Sequence, residues 1–390
     1  MIDALLLLVL LPLIVVTTVF ATETLLGMSP RRRPGAPLPR YDTRSVVVLV
    51  PAHDEAAGIG ATLARQRAAM PAGMRIVVVA DNCTDDTAER ARAAGAEVVE
   101  RHDPERRGKG FALDFGRSQL AADPPACVIV VDADTIPVAD ALDRLAARAI
   151  ASGRPVQGAY FLTVDDQATP LARFSAAAFF VKNVVRELGK ARLGAPAILT
   201  GSGMAFPWPI FAGLPLATGH VAEDLMLGVQ AARAGAPPLF DAAAAITGIG
   251  SSDKGTAVQR RRWESGLVQV VQDSALPLIG QALRTGRWRL GWLGLDLLTP
   301  PLMLLLAADG AATLAAAALL VAGGAAWPFW LMLALTASAV IAVIAGLGGH
   351  GRLDLLRDWA SIPGYVAWKL KLSVTALFRR ETRWIRTDRD

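Results

Sequence analysis

Acidic residues follow short apolar runs at three places in this chain, and helical segments lie between the runs. The runs 45–51, 75–80 and 127–131 are rich in Val, Ile and Leu and have the length of buried strands. The acidic residues that follow them are Asp54 and Glu55, then Asp81, and then Asp132 and Asp134. Strands that alternate with helices predict a doubly wound, mostly parallel α/β sheet. Parallel strands end at one edge, where such sheets bind ligands, so we expect these carboxylates to meet at one site.

Two apolar stretches flank this α/β block. A helix needs about 20 apolar residues to span a bilayer. Residues 4–20 can supply one span, and residues 291–347 can supply two. Asp3 precedes the first stretch, whereas three arginines, Arg31 to Arg33, follow it. A cleaved signal peptide has its basic residues before the apolar run, so this segment is predicted to be an anchor whose C-terminal side is cytosolic.

The charged residues outside the apolar stretches agree with that topology. The hydrophilic block and the basic C-terminal tail are both expected on the cytosolic side. The net charge of +5 is therefore attributed to the membrane flanks. Nucleic-acid binding is not expected, because the α/β block has no basic face interleaved with aromatic residues. The cysteines Cys83 and Cys127 have no His at ligand spacing, so they predict neither a disulfide framework nor a zinc site.

These patterns divide the chain into six predicted segments. They are an N-terminal transmembrane helix (1–28), a linker (29–44), an α/β domain (45–255), an interfacial amphipathic segment (256–288), two transmembrane helices (291–348) and a basic cytosolic or interfacial tail (349–390). The amphipathic segment directly precedes the membrane, which favours an interfacial position. The protein is accordingly predicted to be a multi-pass protein of the bacterial inner (cytoplasmic) membrane, with its α/β domain in the cytosol.

The main candidate metal ligands are Asp132 and Asp134, which leave the same predicted strand end. Alternate residues there can bring two carboxylates to one ion. Mg²⁺ and Mn²⁺ bind through such oxygens together with substrate phosphates. The ion would neutralise a diphosphate leaving group. Short acidic turns are also common on protein surfaces, so the motif indicates a metal site chiefly because it directly follows the apolar run.

Three other segments are candidates for nucleotide binding, each with an ordinary structural alternative. Asp81 suits a base or ribose, and His53, Asp54 and Glu55 occupy the first strand-to-helix turn. Such residues also cap helices and turns. Lys109 lies between two glycines before a predicted helix, where free N–H groups favour a phosphate. A solvated basic loop would have the same composition.

Glu223 and Asp224 open a predicted helix. Carboxylates are common at helix N-termini because the dipole stabilises them. The same effect keeps Asp224 able to accept a proton from an acceptor hydroxyl. Further along, Gln259, Arg262 and Trp263 offer a hydrogen-bond donor, a phosphate clamp and a flat ring. The alternative for these three is an amphipathic helix on the membrane surface.

In this order and strand context, the residues resemble the family 2 glycosyltransferases that combine a GT-A domain with membrane helices, the group of the chitin-, hyaluronan- and cellulose-synthase-like enzymes. The resemblance runs from about residue 45 to residue 263. It implies that Asp224 is the catalytic base with Glu223 beside it, and that Asp132 and Asp134 hold the metal. The implied donor-binding set is Pro51, His53, Glu55, Asp81, Lys109, Asp132, Gln259, Arg262 and Trp263. The implied acceptor side is Gly201, Ser202, Gly203 and Trp263.

The resemblance implies inverting transfer of a sugar from a nucleotide-sugar, with a UDP-sugar expected, to a lipid-linked or polysaccharide acceptor. Mg²⁺ or Mn²⁺ is the implied cofactor, and polysaccharide export components are candidate partners. The sequence departs from the family at Ala222, where Thr is frequent. Two alternatives stay open. A membrane nucleotidyltransferase would need neither Asp224 nor Trp263, and a nucleotide-sensing transporter or scaffold is disfavoured because the spans carry few ionisable residues.

Overall fold

A computed structural model describes residues 2–30, 38–249 and 266–378. The described residues form two compact units. One unit comprises 38–165, 196–249 and 266–267 and is an α/β domain. The other comprises 2–30, 166–195 and 268–378 and is helical.

The α/β domain has eight strands within the described residues, in one sheet of order β3-β2-β1-β4-β7-β6-β8-β5. They are β1 (Val46–Ala52), β2 (Arg75–Asp81), β3 (Glu97–Arg101), β4 (Cys127–Val130), β5 (Thr135–Pro137), β6 (Val156–Thr163), β7 (Met204–Pro207) and β8 (Leu239–Ile249). The half formed by β1 to β4 is parallel, which confirms the predicted Rossmann-like α/β class. In the other half β7 is antiparallel to β4 and β6, and β5 is antiparallel to β8, so the sheet is mixed there.

The parallel strands read as unbroken apolar runs because both faces of the sheet are covered. Residues 46–50 of β1 are each 0–1% exposed. The domain's helices are α2 (Ile59–Ala68), α3 (Thr87–Ala93), α4 (Lys109–Leu120), α5 (Ala141–Ser152), α8 (Trp208–Gly213) and α9 (Glu223–Arg233). On one face, Leu113 of α4 packs with Leu49 and Val79 in the core. This packing brings the carboxyl edge of β1, β2 and β4 next to the first residue of α4.

The sequence of residues 198–206 predicts one strand, but the strand in the structure is shorter. β7 begins at Met204, and residues 198–203 form a buried loop. Gly201 and Gly203 have φ angles of 88° and 68°, and a left-handed backbone interrupts regular strand structure. The loop carries Gly201 to the carboxyl edge of the sheet.

The helical unit contains three helices that are long and apolar enough to cross a membrane, judged by length and composition within the described residues: Asp3–Gly27, Leu302–Val321 and Trp327–Gly349. The first belongs to α1 (Ile2–Gly27). The remaining elements are α6 (Pro170–Phe180), α7 (Glu187–Leu193), the helices Leu276–Thr285, Trp288–Leu298 and Ile362–Phe378, the π-helical stretches Val181–Arg186 and Val271–Ala275, and two short 3₁₀ turns.

Glycines bring α1 into backbone contact with α7. A Cβ atom on Gly189 would lie 1.8 Å from the carbonyl oxygen of Glu23. Small residues permit this close approach. Buried ion pairs lie beside the contact: Arg186 is 2.7 Å from Glu23 and 2.5 Å from Asp296, and Lys190 is 2.6 Å from Asp296. Salt bridges therefore join α1, the Val181–Arg186 stretch, α7 and the Trp288–Leu298 helix.

Candidate active site

Asp132 and Asp134 lie in the turn between β4 and β5, at the carboxyl edge of the sheet. Both are half-buried, whereas the residues between and beside them are buried. The carboxylate of Asp132 contacts the ammonium group of Lys109, the first residue of α4. The same ammonium donates a hydrogen bond of 2.6 Å to the carbonyl oxygen of Gly201. Lys109 therefore joins the acidic turn to the 198–203 loop.

Gly201 lies where the ionisable side chains converge. A Cβ atom placed on it would be 3.2 Å from Oδ2 of Asp224, 3.4 Å from Nζ of Lys109 and 3.9 Å from Oδ2 of Asp132. The four residues come from the 198–203 loop, α9, α4 and the β4–β5 turn. The fold thus brings together segments that lie far apart in the sequence, and a glycine leaves room between them.

Glu223 and Asp224 form the first turn of α9, where the helix dipole favours negative charge. Oδ1 of Asp224 accepts a hydrogen bond of 2.8 Å from the backbone N–H of Leu225. Burial and the neighbouring charge of Asp224 raise the pKa of Glu223 to about 8. Burial lowers the pKa of Lys109, but the carboxylates of Asp132 and Glu223 outweigh this and raise it overall.

The balance of charge at the site favours a divalent cation. The ammonium of Lys109 faces the carboxylates of Asp132, Glu223 and Asp224, so negative charge is in excess. Burial is the largest cause of the raised pKa of Glu223, and the charges of Asp224 and Asp132 raise it further. Carboxylate oxygens are the ligands that Mg²⁺ and Mn²⁺ prefer. Asp132 and Asp134 therefore fit such an ion in both donor type and charge.

Asp81, at the end of β2, is held by two side chains that the sequence did not single out, Arg101 and Asn82, and by the candidate His53. Its Oδ1 lies 2.6 Å from Nη1 of Arg101 and accepts a hydrogen bond of 3.0 Å from Nδ2 of Asn82. Nδ1 of His53 lies 2.6 Å from the carbonyl oxygen of Asp81. Arg101 also lies over the ring of Phe111. Arg101 is paired with Asp81 in the register of β2 and β3, and that register was the signal that could have found it.

Asp54 and Glu55 lie in the turn that follows β1. Pro51, near the end of that strand, is half-buried. Oδ1 of Asp54 accepts a hydrogen bond of 2.6 Å from the N–H of Thr84, and the N–H of Glu55 donates one of 2.7 Å to Thr87. Ligand atoms of Asp54, Cys83 and Asp85 lie within 4.8 Å of one another. Because the carboxylates of Asp54 and Asp85 accept backbone hydrogen bonds from Thr84 and Ala56, this group links the turn after β1 to the turn that precedes α3.

Two further residues of the predicted acceptor side, Ser202 and Gly203, face the protein interior. Oγ of the fully buried Ser202 accepts a hydrogen bond of 3.1 Å from the N–H of Asp132. A Cβ on Gly203 would lie 2.4 Å from the side chain of Ile246. Gln66 of α2, which sequence reasoning missed, donates to the carbonyl oxygen of Asp132 at 3.1 Å. No local pattern marks Gln66, because its partner is 66 positions away.

Gln259, Arg262 and Trp263 lie outside the described residues. The structure resumes at Gly266, and a Cβ on this residue would lie 2.9 Å from the Cβ of Ala222. Ala222 immediately precedes Glu223 and Asp224. The segment that follows the predicted Gln-x-x-Arg-Trp strip therefore packs beside the start of α9.

The fold is similar to that of the mannosyltransferase PcManGT from Pyrobaculum calidifontis in complex with GDP-Man and Mn²⁺, with a TM-score of 0.53 and 20% identity over 90% of this chain and 92% of that one. At this identity the likeness concerns the fold. The chain is also 43% identical over 90 residues to the uncharacterized glycosyltransferases Rv0539 of Mycobacterium tuberculosis and Mb0553 of Mycobacterium bovis. That match spans 23% of this chain and 37% of each relative.

A family model described as glycosyltransferase like family 2 matches residues 43–266. The matched range is more than half of the 390-residue chain. It begins just before β1 and includes Asp132, Glu223 and Asp224. The chain therefore belongs to the family 2 glycosyltransferases, and its fold is of the GT-A type.

Proposed function

We propose that this protein is a membrane-bound glycosyltransferase that moves a hexose from a nucleotide-sugar, expected to be a UDP-sugar, to a hydroxyl group of a lipid-linked or polysaccharide acceptor. The observation that carries the proposal is the convergence of Asp224, Lys109 and Asp132 around Gly201, all within 3.2–3.9 Å of one position. A base and a charge-neutralising group that lie this close can act on the two ends of one sugar transfer.

In the proposed reaction, Asp224 takes the proton of the acceptor hydroxyl as its oxygen attacks the anomeric carbon of the donor. The bond between that carbon and the phosphate oxygen breaks, and the nucleoside diphosphate leaves with the electron pair. Attack opposite the leaving group inverts the anomeric configuration. Glu223, with its pKa raised to about 8, carries a proton at neutral pH and so reduces the repulsion on the charge of Asp224.

The departing diphosphate needs positive charge close to it. Mg²⁺ or Mn²⁺, held by Asp132 and Asp134, would act there as a Lewis acid. Lys109 contacts Asp132 and would add a second positive charge beside the leaving group. Arg262 and Trp263 are proposed to complete the donor and acceptor sides. The presence of Mn²⁺ and GDP-Man in the PcManGT complex supports this assignment.

The proposed location is the bacterial inner membrane, with a multi-pass arrangement and a cytosolic site. The three apolar helices and the arginines at positions 31–33 support it. An acceptor that is lipid-linked or a growing polysaccharide fits this location, with export components as partners. In a Cys83→Ser/Cys127→Ser background, a membrane-impermeant maleimide should label Asp123→Cys only after lysis of spheroplasts. Labelling of intact spheroplasts would contradict the cytosolic site.

Donor hydrolysis tests the reaction class directly. The full chain in detergent is incubated with a panel of nucleotide-sugars and Mg²⁺ or Mn²⁺. We expect release of nucleoside diphosphate from one donor, lost in Asp224→Asn and in Asp132→Asn but kept in the exposed control Asp123→Asn. Release of pyrophosphate from a nucleoside triphosphate and a sugar phosphate would instead identify a nucleotidyltransferase. Nucleotide binding without turnover, even with polyprenyl phosphate or glycan acceptors, would contradict an enzymatic role.

A further inference from the structure

A closed ring of hydrogen bonds surrounds the backbone of Asp132. Its N–H lies 3.1 Å from Oγ of Ser202. Oγ of Ser202 lies 2.6 Å from Oγ1 of Thr135, which in turn lies 3.2 Å from the carbonyl oxygen of Asp132. Each hydroxyl has one proton, so one direction satisfies all three contacts. Asp132 donates to Ser202, Ser202 donates to Thr135, and Thr135 donates to the carbonyl of Asp132.

Gln66 holds both ends of the same turn. Its side-chain NH₂ group donates to the carbonyl oxygen of Asp132 at 3.1 Å and to that of Thr135 at 3.0 Å. The two protons of the amide are thereby used on the first and last residues of the segment that contains Asp134. Gln66 and Thr135 are fully buried, so water does not compete for these bonds.

The loop that supplies Ser202 is itself held in place. Gln157, which is 1% exposed, donates from Nε2 to the carbonyl oxygen of Ser202 at 2.9 Å. Its Oε1 accepts a hydrogen bond of 2.9 Å from the N–H of Thr200. The ring therefore connects the acidic turn to a loop that is anchored on β6.

Packing alone does not explain why polar groups fill this part of the core. A buried amide or hydroxyl costs free energy unless it is hydrogen-bonded, and apolar side chains would fill the same space without that requirement. The polar groups instead orient the acidic turn, because each hydrogen bond fixes the position of one of its backbone atoms. Carboxylates that share one ion must be held to within about 0.5 Å, which rigid supporting hydrogen bonds provide.

We propose that Gln66, Thr135 and Ser202 are positioning residues that set the carboxylates of Asp132 and Asp134 for binding a divalent cation together with a nucleoside diphosphate. The inference rests on the proposed function. Loss of the hydrogen bonds that orient metal ligands lowers metal affinity by about 10–100-fold. Loss of the ring is expected to weaken cation binding by a factor in that range and to leave the fold in place.

The test measures Mn²⁺ binding by the full chain in detergent, from the electron paramagnetic resonance signal of free Mn²⁺, with UDP and in parallel with GDP. Thr135→Val keeps the shape of the side chain and removes the hydroxyl, whereas Thr135→Ser keeps the hydroxyl. We expect about 10-fold or greater weakening in Thr135→Val and in Gln66→Leu, and near wild-type affinity in Thr135→Ser. Leu145→Ala, a core variant on α5, controls for general destabilisation.

The outcomes separate the positioning role from the proposed function. If the wild type binds Mn²⁺ with a nucleotide and Thr135→Val binds it equally well, the positioning role is wrong and the proposed function stands. Equal weakening in Leu145→Ala at a matched loss of melting temperature would also overturn the positioning role. If Gln66→Leu does not fold, the Thr135 pair decides. A wild-type protein that binds no Mn²⁺ with either nucleotide would contradict the proposed function itself.

Discussion

The ammonium group of Lys109 binds the carboxylate of Asp132, and it also lies 2.6 Å from the carbonyl oxygen of Gly201. This contact joins the start of α4 to the acidic turn after β4. Because Asp224 faces the same ammonium, Lys109 is the cation that offsets the charges of Asp132 and Asp224 among the described residues of the cluster. The carboxyl edge of the sheet thus holds a compact arrangement of opposite charges.

Replacing Lys109 by Met should affect both turnover and metal dependence. Loss of one preorganised cation beside a developing charge costs about 100-fold in kcat. The remaining carboxylates would repel one another more strongly, so added Mn²⁺ should raise the melting temperature of Lys109→Met more than that of the wild type. Scanning calorimetry with and without Mn²⁺ measures the second effect. An equal Mn²⁺ shift in both proteins would contradict the charge balance described here.

Asp224→Asn should lower kcat by about 100- to 10,000-fold, because the amide cannot accept the acceptor proton. Donor affinity should change little, since other residues make the proposed donor contacts. Single-turnover transfer and nucleotide titration separate the two quantities. The neighbouring Glu223→Gln is the matched control, because it also removes one carboxyl group from α9. A similar loss of kcat in both variants would mean that Asp224 has no special role as the base.

Gly201→Ala tests the convergence at the loop. Its Cβ would lie 3.2 Å from Asp224 and 3.4 Å from Lys109. Gly235 has a similar φ of 93°, against 88° at Gly201, but a Cβ there meets nothing within 4 Å. Gly201→Ala and the control variant Gly235→Ala should both lose about 1–2 kcal/mol of stability, because alanine is strained in the left-handed conformation. We expect a loss of transfer rate at matched donor concentration in Gly201→Ala alone, and equal rates would show that the space beside Gly201 is not needed.

Much of the sheet could be predicted because its strands are buried on both faces. The apolar runs around Val48, Val78 and Ile129 gave the first, second and fourth strands and the edge at which they end. The strand predicted over 198–206 begins only at Met204 in the structure. The left-handed conformation of Gly201 and Gly203 overrides that pattern, and composition does not reveal it.

The supporting contacts of the site were not predictable for a different reason. Gln66, Gln157 and Arg101 act through hydrogen bonds to residues that are 20 to 69 positions away. Such pairs follow from strand register and helix packing, which a single sequence does not specify. Among them, the Arg101–Asp81 pair was the nearest to prediction, since the ends of adjacent parallel strands lie side by side.

Arg186→Met should strongly destabilise the helical unit. Arg186 is buried between Glu23 and Asp296, and its removal leaves two buried carboxylates with less compensation. Breaking a buried ion pair from one side costs about 3–5 kcal/mol. Arg75→Met removes an exposed pair with Glu97 and should cost about 1 kcal/mol or less. Denaturation in mixed detergent, followed by far-UV circular dichroism, compares the two. If both lose the same stability, the buried cluster does not hold these helices together.

Gly189→Ala should disrupt the same unit through shape alone. The new Cβ would lie 1.8 Å from the carbonyl oxygen of Glu23 and 3.0 Å from its Cα, and backbone atoms cannot move aside as a flexible side chain can. α1 would have to shift away from α7, which would also lengthen the Glu23–Arg186 contact. We therefore expect a loss of stability above the usual overpacking cost of about 1–3 kcal/mol.

Gly310→Ala is the matched control, because Gly310 lies in the Leu302–Val321 helix and a Cβ there meets nothing within 4 Å. That control should be neutral or gain up to about 1 kcal/mol from its higher helix propensity. Melting curves that coincide for the two variants would mean that α1 and α7 are not in backbone contact.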